Sequence, residues 1–315
     1  MSNFTKSNVM KNQMDVKVIL VTRRTRLEEL VAQYNTEAQA KFVIESRGGD
    51  FEDYRIEYQN YVKAVSQVEA SLKSAARVQR MDRQFLPNFI FGPQDIVVVV
   101  GQDGLVANTL KYLNGQPVIG INPDPSRFDG VLLPFQVKDV SLIFNDVVGN
   151  KYKHKQISMA KAVLNDGQVL LAVNDLFIGP RYQTSARYEI EIDGKKEVQS
   201  SSGIIISTGL GSTGWLKSIV AGAMGVSGKN KKVDASFSWD ANQLKFAVRE
   251  PFPSQNTGTE LVYGEIFAQE EMTVSSLMPG NGVIFSDGMV DDYLEFNSGV
   301  CAKLNLAKEV GVIVV

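Results

Sequence analysis

Three continuous apolar runs in the N-terminal part of the chain constrain its fold more than any other feature. The runs are VKVILVT (16–22), IVVVV (96–100) and PVIGIN (117–122), and helix-prone polar stretches separate them. Strands that are apolar throughout are typical of parallel sheets, because helices cover both of their faces. The pattern predicts a parallel α/β domain with a ligand crevice at the carboxyl ends of its strands.

Local signals place helices between these runs. Thr25 is followed three residues later by Glu28, which has the form of a capping box and predicts a helix from residue 25 into the 40s. Apolar residues at helical spacing predict a second helix over 51–76, and we interpret RVQRMDR (77–83) as a short strand. A further helix is expected from about residue 105 to residue 113.

After about residue 134 the long apolar runs give way to short alternating segments. In YEIEIDGK, the side chains of Tyr188, Ile190 and Ile192 share one face, and Asp193-Gly194 is a hairpin signal. Alternation over 233–239 and 244–248 predicts two more strands, with one helix after GSTGW. We therefore expect an α/β domain over 1–135 and a mostly antiparallel β domain over 136–290. The apolar segment 291–315 is a candidate to return to the first domain.

Composition excludes several classes of function. The 315 residues are 44% hydrophobic and 22% charged, which is typical of a globular protein with a full core. A net charge of -2 supplies no basic field for nucleic acid or anionic lipid, so neither is expected as a partner. The single cysteine, Cys301, excludes a disulfide framework and a cysteine zinc site. We interpret the single histidine, His154, as a bystander.

The chain is expected to be cytoplasmic. No segment approaches the ~20 apolar residues of a membrane span. Residues 1–15 lack the apolar run of a signal peptide and contain no arginine, which argues against a transit peptide.

The first candidate site is Gly101-Gln102-Asp103-Gly104, directly after the second apolar run. Its glycines let the backbone approach a ligand, and the N-terminus of the following helix faces the same point, which suits a phosphate. The Asp103 carboxylate would repel a bare phosphate. It is instead suited to accept a proton from an attacking hydroxyl or to help hold a magnesium-bound phosphate. The alternative is an Asp-Gly turn that only ends a strand.

Three further stretches carry polar residues at predicted strand ends. The turn 208–215 combines three glycines with Ser212 or Thr213 as a helix cap, which favours an anion or nucleotide site over a simple capped turn. Asn174 and Asp175 are predicted to end a strand, and such a pair is also common in turns. The stretch 122–130, with Arg127, suits either the rim of the crevice or a stiff connector.

Together and in this order, these stretches resemble the NAD kinase family. The chain is similar to the mitochondrial type in PVIGINPDP (117–125), FIG (177–179), SSG (201–203), the Thr-Gly-x-Gly-Ser-x-x-Trp turn (208–215) and VREP (248–251). The similarity runs from about residue 95 to near the C-terminus. Its specificity comes from the number and order of these motifs.

The resemblance implies a kinase that transfers the γ-phosphoryl group of MgATP to the 2′-hydroxyl of the adenosine ribose of NAD. It implies a Rossmann-like α/β domain followed by a β-rich domain, an active site between them, and a homodimer or tetramer. Asp103 matches the catalytic aspartate of the family, and no residue is assigned to a metal. The implied cofactor-binding residues are Gly101, Gln102, Gly104, Asn122, Asn174, Asp175, Ser202, Ser212, Thr213 and Trp215.

Three of these positions depart from ordinary members of the family. Asp175 replaces a glutamate, Ser202 an aspartate, and Gln102 the second glycine of the loop. A side chain at position 102 requires a backbone conformation open to residues other than glycine. Two alternatives therefore stay open: a kinase of the same scaffold that acts on a sugar, nucleoside or lipid hydroxyl, and a nucleotide-binding sensor without turnover.

Overall fold

The structure, a computed structural model, describes residues 16–228 and 234–315. The chain divides into two compact units, Met1–Lys155 with Val312–Val315, and Gln156–Gly311. Residues 1–15, on which the expected location depends, lie outside the described residues, as does Val233 of a predicted strand.

The first unit is built on a parallel sheet with the strand order β2-β1-β3-β4. The last residues of strand β17 (Cys301–Val314) run parallel to β4, where Val312 is opposite Pro117. The short strand β5 also pairs with β4. The strands are β1 (Lys17–Thr22), β2 (Arg77–Asp82), β3 (Ile96–Val100), β4 (Pro117–Asn122) and β5 (Phe135–Gln136). The helices are α1 (Arg26–Tyr34), α2 (Glu37–Ser46), α3 (Phe51–Lys73), α4 (Asp103–Leu110) and α5 (Val140–Val148).

The predicted apolar runs form the centre of this sheet. Every residue of β3 is buried, and alternate residues of β1, β3 and β4 pack against α3 and α5. Tyr61 of α3 lies in this core and donates a hydrogen bond from its hydroxyl to the Val100 carbonyl at 2.9 Å. Burial on both faces explains why these strands have no alternating polar positions.

The second unit contains antiparallel strands in two groups. A six-stranded sheet has the order β13-β12-β11-β8-β15-β16, and β10, β9, β14 and β17 pair in that order. Strand β6 pairs with β7 and β17. The strands are β6 (His154–Leu164), β7 (Val169–Ala172), β8 (Asp175–Pro180), β9 (Ala186–Ile192), β10 (Lys195–Ser201), β11 (Ile204–Ser207), β12 (Gln243–Val248), β13 (Tyr263–Phe267), β14 (Met272–Ser276), β15 (Gly282–Ser286), β16 (Met289–Glu295) and β17 (Cys301–Val314).

The two groups of strands enclose one hydrophobic core. Ile178, Ile206 and Phe246 come from the six-stranded sheet, and Tyr188 and Ile190 come from the other group. Side chains of one face of each sheet thus meet in a shared interior, as in β-sandwiches. One helix, α6 (Trp215–Val226), packs Leu216 into a smaller cluster with Ala235 and Ala247.

Most of the predicted elements are present. The Thr25 capping box is complete, and Asp193 and Gly194 both have positive φ, as a two-residue hairpin turn of type I′ requires. The predicted fold class, an α/β sheet followed by antiparallel β structure, is confirmed. No helix in the described ranges is long and apolar enough to cross a membrane.

Two predictions of secondary structure were wrong. The helix expected from residue 25 into the 40s is two helices, because Asn35 adopts a left-handed conformation with φ 68° and ends α1. The alternating segment 234–239 contains no strand. Its apolar residues Ala235 and Phe237 pack against α6 from a loop, so the alternation reflects contact with a helix.

We expect Ile190→Ala to destabilise the second unit by about 2–5 kcal/mol, because the fully buried side chain leaves a cavity in the shared core. The matched control is Glu191→Ala on the same strand, which removes only an exposed ion pair with Lys196 and should cost less than about 1 kcal/mol. Urea unfolding of both variants measures the difference. Equal midpoints for the two variants would contradict the placement of Ile190 in the core.

Candidate functional site

The loop Gly101–Gly104 joins β3 directly to α4. Strand β3 ends at Val100 and α4 begins at Asp103, so the Asp103 carboxylate lies in the first turn of the helix. The helix dipole places partial positive charge there, which favours a bound anion and an acidic side chain alike. Gln102 is the N-cap residue, and its side chain makes no capping hydrogen bond.

The backbone at Gln102 accommodates a side chain without strain. Its φ of -125° and ψ of 166° are an extended conformation open to any residue. At Gly101 a Cβ atom would lie 2.8 Å from Leu105 Cδ2, so a side chain there would displace the end of the Leu105 side chain. A Cβ atom at Gly104 would meet no heavy atom within 4 Å, so this position leaves open space at the start of the helix.

Asp103 and Asn122 both hold the loop that follows β4. The Leu132 backbone N–H donates a hydrogen bond to Asp103 Oδ1 at 2.7 Å. Asn122 Nδ2 donates to the Phe128 carbonyl at 2.9 Å, and its Oδ1 accepts from the Asp124 N–H at 3.0 Å. Asn122, a predicted cofactor-binding residue, thus uses both ends of its amide within this loop. The second carboxylate oxygen of Asp103 bonds to no residue that the structure describes.

Two glycines that the sequence analysis did not single out determine how closely this loop packs. A Cβ atom at Gly120 would lie 2.1 Å from the Leu132 carbonyl oxygen. At Gly130, which has φ 69°, it would lie 2.6 Å from Asn122 Nδ2. Both glycines occur in PVIGINPDPSRFDG, so the signal was present in a stretch that the sequence analysis already considered.

Arg127 anchors the same loop to α3. Its two terminal nitrogens donate to the Asp53 carboxylate at 2.7 and 3.2 Å, and Arg26 donates to the same group at 2.8 Å. Hydrogen bonds from Arg127 and Arg26 lower the pKa of Asp53 to about 2. Arg127 therefore has a structural partner within the first unit.

The second unit contains a cavity of about 510 Å³. Its polar side chains include Asn174, Asp175 and Thr213, and the rings of Phe177 and Trp215 stack in its wall with centroids 5.7 Å apart and planes inclined by 18°. An apolar wall with a few polar groups is typical of cofactor sites. We call this space the Asn174 cavity.

The turn 208–211 packs directly on the backbone of residues 173 and 174. Thr208 Oγ1 donates a hydrogen bond to the Val173 carbonyl at 2.6 Å, and the Thr208 N–H donates to the Asn174 carbonyl at 3.0 Å. A Cβ atom at Gly211 would lie 2.2 Å from the same Asn174 oxygen. Packing of this turn on the Asn174 backbone therefore requires glycine at position 211.

The predicted helix cap by Ser212 or Thr213 was wrong. Both residues lie in a short 3-10 turn, Gly211–Thr213, and the N-cap of α6 is Gly214. Ser212 is fully buried, donates to the Gly209 carbonyl at 2.7 Å and accepts from the Phe237 N–H at 3.2 Å. Ser212 thus supports the turn from inside, whereas Thr213 and Trp215 line the cavity.

The prediction that Asn174 and Asp175 end a strand was wrong, because Asn174 precedes a strand and Asp175 begins it. Strand β7 ends at Ala172, and Asp175 is the first residue of β8. Strand β8 lies between β11 and β15, so Asp175 begins an interior strand of the six-stranded sheet.

Asp287 is the residue that the sequence analysis missed. Its carboxylate accepts hydrogen bonds from three successive backbone N–H groups: Val173 at 3.0 Å, Asn174 at 2.6 Å and Asp175 at 3.3 Å. Asp287 and Gly288 have φ values of 52° and 68° and form the turn between β15 and β16. The signal was the Asp-Gly pair in SDGMV, which has the form of a hairpin turn.

Asp175 is an acid in an unfavourable environment for its charge. Its Oδ1 atom is buried, and no described residue donates a hydrogen bond to it. Burial and the negative charge of Asp287 raise the pKa of Asp175 to about 7, although the Ser207 hydroxyl acts in the opposite direction. A large part of the Asp175 population therefore carries a proton at neutral pH.

Ser202 lies in a different cavity, of about 700 Å³, together with Arg249 and several hydroxyl side chains. The Ser202 N–H donates to the Arg249 carbonyl at 2.9 Å. Phe177 lines both cavities, and a Cβ atom at Gly203 would lie 2.5 Å from its ring. The structure thus separates Ser202 from the other predicted residues of this unit by one aromatic ring.

The chain is similar to known proteins in sequence and in fold. No protein-family model matches the chain. A curated relative, NAD kinase 2, mitochondrial, from Xenopus tropicalis, is 24% identical over a match that covers 63% of this chain and 62% of the relative. The chain therefore spans less than two thirds of that relative's length.

Two solved structures share the fold. An NAD kinase from Archaeoglobus fulgidus in complex with ATP has a TM-score of 0.56 at 16% identity and covers 95% of this chain and 93% of its own. A yeast NADH kinase complexed with NADH has a TM-score of 0.57 at 13% identity and covers 96% of this chain and 84% of its own. The chain has the fold of these kinases, a mixed α/β sheet with an antiparallel sheet.

We expect Gly211→Ala to destabilise the second unit by more than about 2 kcal/mol, because the new methyl group would overlap the Asn174 carbonyl. The matched control is Gly222→Ala in α6, where a Cβ atom meets no heavy atom within 4 Å. That change should stabilise the helix by about 0.5–1 kcal/mol. Thermal unfolding of both variants gives the comparison, and a neutral Gly211→Ala would show that the turn does not pack on Asn174.

Proposed function

We propose that this chain, a member of the NAD kinase family by its fold and its sequence similarity, transfers the γ-phosphoryl group of ATP to the 2′-hydroxyl of the adenosine ribose of NAD. The similar structures were solved with ATP and with NADH, which supports this pair of substrates. The ordered motifs from residue 95 onward support the acceptor, since they resemble the NAD kinase family.

The observation that carries the mechanism is the position of Asp103. Its carboxylate lies at the N-terminus of α4 beside the open space at Gly104, and among the described residues only the Leu132 N–H donates to it, at Oδ1. The other oxygen is suited to accept a hydrogen bond from a ribose hydroxyl. In the proposed reaction that hydroxyl oxygen bonds to the γ-phosphorus, the bond from phosphorus to the β-phosphate oxygen breaks, and Asp103 receives the proton.

Charge at the helix terminus contributes a second element. The dipole at the start of α4 favours the negative charge of a phosphate chain. Phosphoryl transfer depends mainly on positioning and charge stabilisation, so it requires no histidine or cysteine from the protein.

In this proposal the magnesium ion belongs to the substrate MgATP. No three acidic, histidine or cysteine side chains converge within residues 16–228 and 234–315 to hold a metal. Magnesium is commonly bound through substrate phosphates with one or two carboxylates, and such a donor set does not require a dedicated protein cage.

The Asn174 cavity would receive a planar ring of a nucleotide. Trp215 and Phe177 offer stacking surfaces, and the Asn174 amide and the Thr213 hydroxyl offer donors and acceptors for ring substituents. The departure at Gln102 gives no reason to expect loss of turnover, because its backbone is unstrained. The cytoplasmic location and the homo-oligomer stay predictions.

Purified protein incubated with MgATP and NAD and assayed for NADP tests the proposal directly. NADP formation supports it. Phosphorylation of a sugar, nucleoside or lipid hydroxyl without NADP would favour the alternative kinase, and tight NAD binding by calorimetry without any product would favour the sensor.

We expect Asp103→Asn to lower kcat for NADP formation by about 10²–10⁴, because the amide cannot accept the proton. The asparagine oxygen still accepts the Leu132 N–H, so the loop is retained and the change isolates the proton acceptor. Asp129→Asn, an exposed change in the same loop, serves as the control and should leave kcat unchanged. Undiminished turnover of Asp103→Asn would contradict the role of Asp103 as proton acceptor.

We expect Gln102→Gly to leave both folding and kcat intact. Gln102 makes no capping hydrogen bond, and glycine is well tolerated at a helix N-cap. Steady-state kinetics with a circular dichroism spectrum of the variant provide the measurement. A large fall in kcat in a folded variant would show that the glutamine contributes to the reaction.

A further inference from the structure

Asp175, which lines the Asn174 cavity, has one buried carboxylate oxygen for which no described residue supplies a donor. Asp175 Oδ1 is buried and has no hydrogen-bond partner in the part of the chain that the structure describes. An unsatisfied buried carboxylate oxygen costs free energy, so such groups call for an explanation. Two explanations are available: a donor on the ligand, or a proton on the carboxyl group itself.

The hydrogen bonds to the Asp287 carboxylate distinguish between these two explanations. Three backbone N–H groups donate to its carboxylate, and hydrogen bonds of this kind stabilise the ionised form. Asp287 is therefore the member of the pair that stays charged. Its charge acts on Asp175, whose backbone N–H is one of the three donors, so the two acids are held close together.

No other described group near Asp175 compensates a second negative charge. Strand β11 places Ser207 opposite Asp175, and the cavity wall from α6 contributes the uncharged Trp215. Lys245 lies one strand further, opposite Ser207, and is ion-paired with Glu265 at 3.7 Å. Among the described lining residues, Asp175 and Asp287 are the ionisable ones, and both are acids.

We propose that Asp175 is a neutral carboxylic acid beside the ionised Asp287, and that it donates a hydrogen bond from its carboxyl group to an uncharged acceptor on a bound nucleotide. The acceptor would be a ring nitrogen, a carboxamide oxygen or a sugar hydroxyl oxygen. This inference deepens the proposed function and rests on it for the identity of the ligand as NAD. The proton state of Asp175 is a property of the protein alone.

The neutral acid gives the cavity a donor without a second negative charge. An ionised Asp175 beside Asp287 would repel an anionic dinucleotide and could only accept hydrogen bonds. NAD affinity should therefore decrease as the pH rises through about 7, where Asp175 loses its proton. Ligand contact with the neutral form would move the transition to higher pH.

The first measurement needs no ligand. The protein is labelled with ¹³C at the aspartate carboxyl carbons, and the Asp175 signal is identified by its absence in Asp175→Asn. We expect this signal to titrate near pH 7, and to titrate at lower pH in Asp287→Asn. A signal that titrates below about pH 5 in the unaltered chain would overturn the proposal, because Asp175 would then be ionised in the free protein.

The second measurement is NAD binding by calorimetry from pH 6 to pH 8.5. The unaltered chain should lose about tenfold in affinity over this range, whereas Asp175→Asn, whose amide donates at every pH, should keep a constant affinity within about threefold of the value at pH 6. Asp193→Asn, at an exposed turn of the same unit, is the control and should follow the unaltered chain. A flat profile of the unaltered chain, or a tenfold loss at pH 6 in Asp175→Asn, would contradict the donor role.

The two measurements separate the two proposals. Titration of Asp175 near pH 7 without NAD binding at any pH would contradict the proposed function and the ligand contact, while supporting the neutral acid. NAD binding and NADP formation with an Asp175 that titrates at low pH would support the proposed function and overturn the inference about Asp175.

Discussion

The Asp287 carboxylate fixes the shape of the Asn174 cavity. It accepts three successive backbone N–H groups at the start of β8, so the chain from Val173 to Asp175 has one conformation there. The turn that begins at Thr208 packs on that same stretch and requires glycine at position 211. A single acid on a hairpin turn thus positions the polar group that lines the cavity and the turn that closes it.

In the α/β unit, Asp103 also accepts a hydrogen bond from a backbone N–H group. Asp103 lies in the first turn of α4, where the dipole favours its charge, and it holds a loop with one oxygen only. Gly120 and Gly130 allow that loop to approach closely enough for this hydrogen bond. In both units, a carboxylate that bonds to backbone N–H groups organises the residues around a proposed site.

The parts of this structure that the sequence predicted are those that local patterns determine. Strands β1, β3 and β4 are buried on both faces, so their apolar runs are unambiguous, and the capping box at Thr25 and the turn at Asp193-Gly194 involve neighbours in the chain. The contacts of Asp287 join residues 112–114 positions apart, and no local pattern shows such a pairing.

The directions of individual side chains could not be predicted from the sequence either. Ser212 and Thr213 are adjacent hydroxyl residues, yet Ser212 is buried beneath the turn and Thr213 lines the cavity, because a 3-10 turn points successive side chains to different sides. The alternation that predicted a strand over 233–239 reflects packing of a loop against α6. Tertiary contacts with elements distant in the chain determine both the side-chain directions of Ser212 and Thr213 and the loop conformation that was predicted to be a strand.

The stacked pair of Phe177 and Trp215 has an optical consequence. The chain has two tryptophans, and Trp215 is the one that lines the Asn174 cavity, with 38% of its surface exposed. Its indole ring contacts both the Phe177 ring and the Arg249 guanidinium, whose carbon is 5.4 Å from the ring centroid. A planar ligand that enters the cavity would replace water at the exposed part of the indole. The intrinsic fluorescence of this protein is thereby a reporter of occupancy that needs no added label.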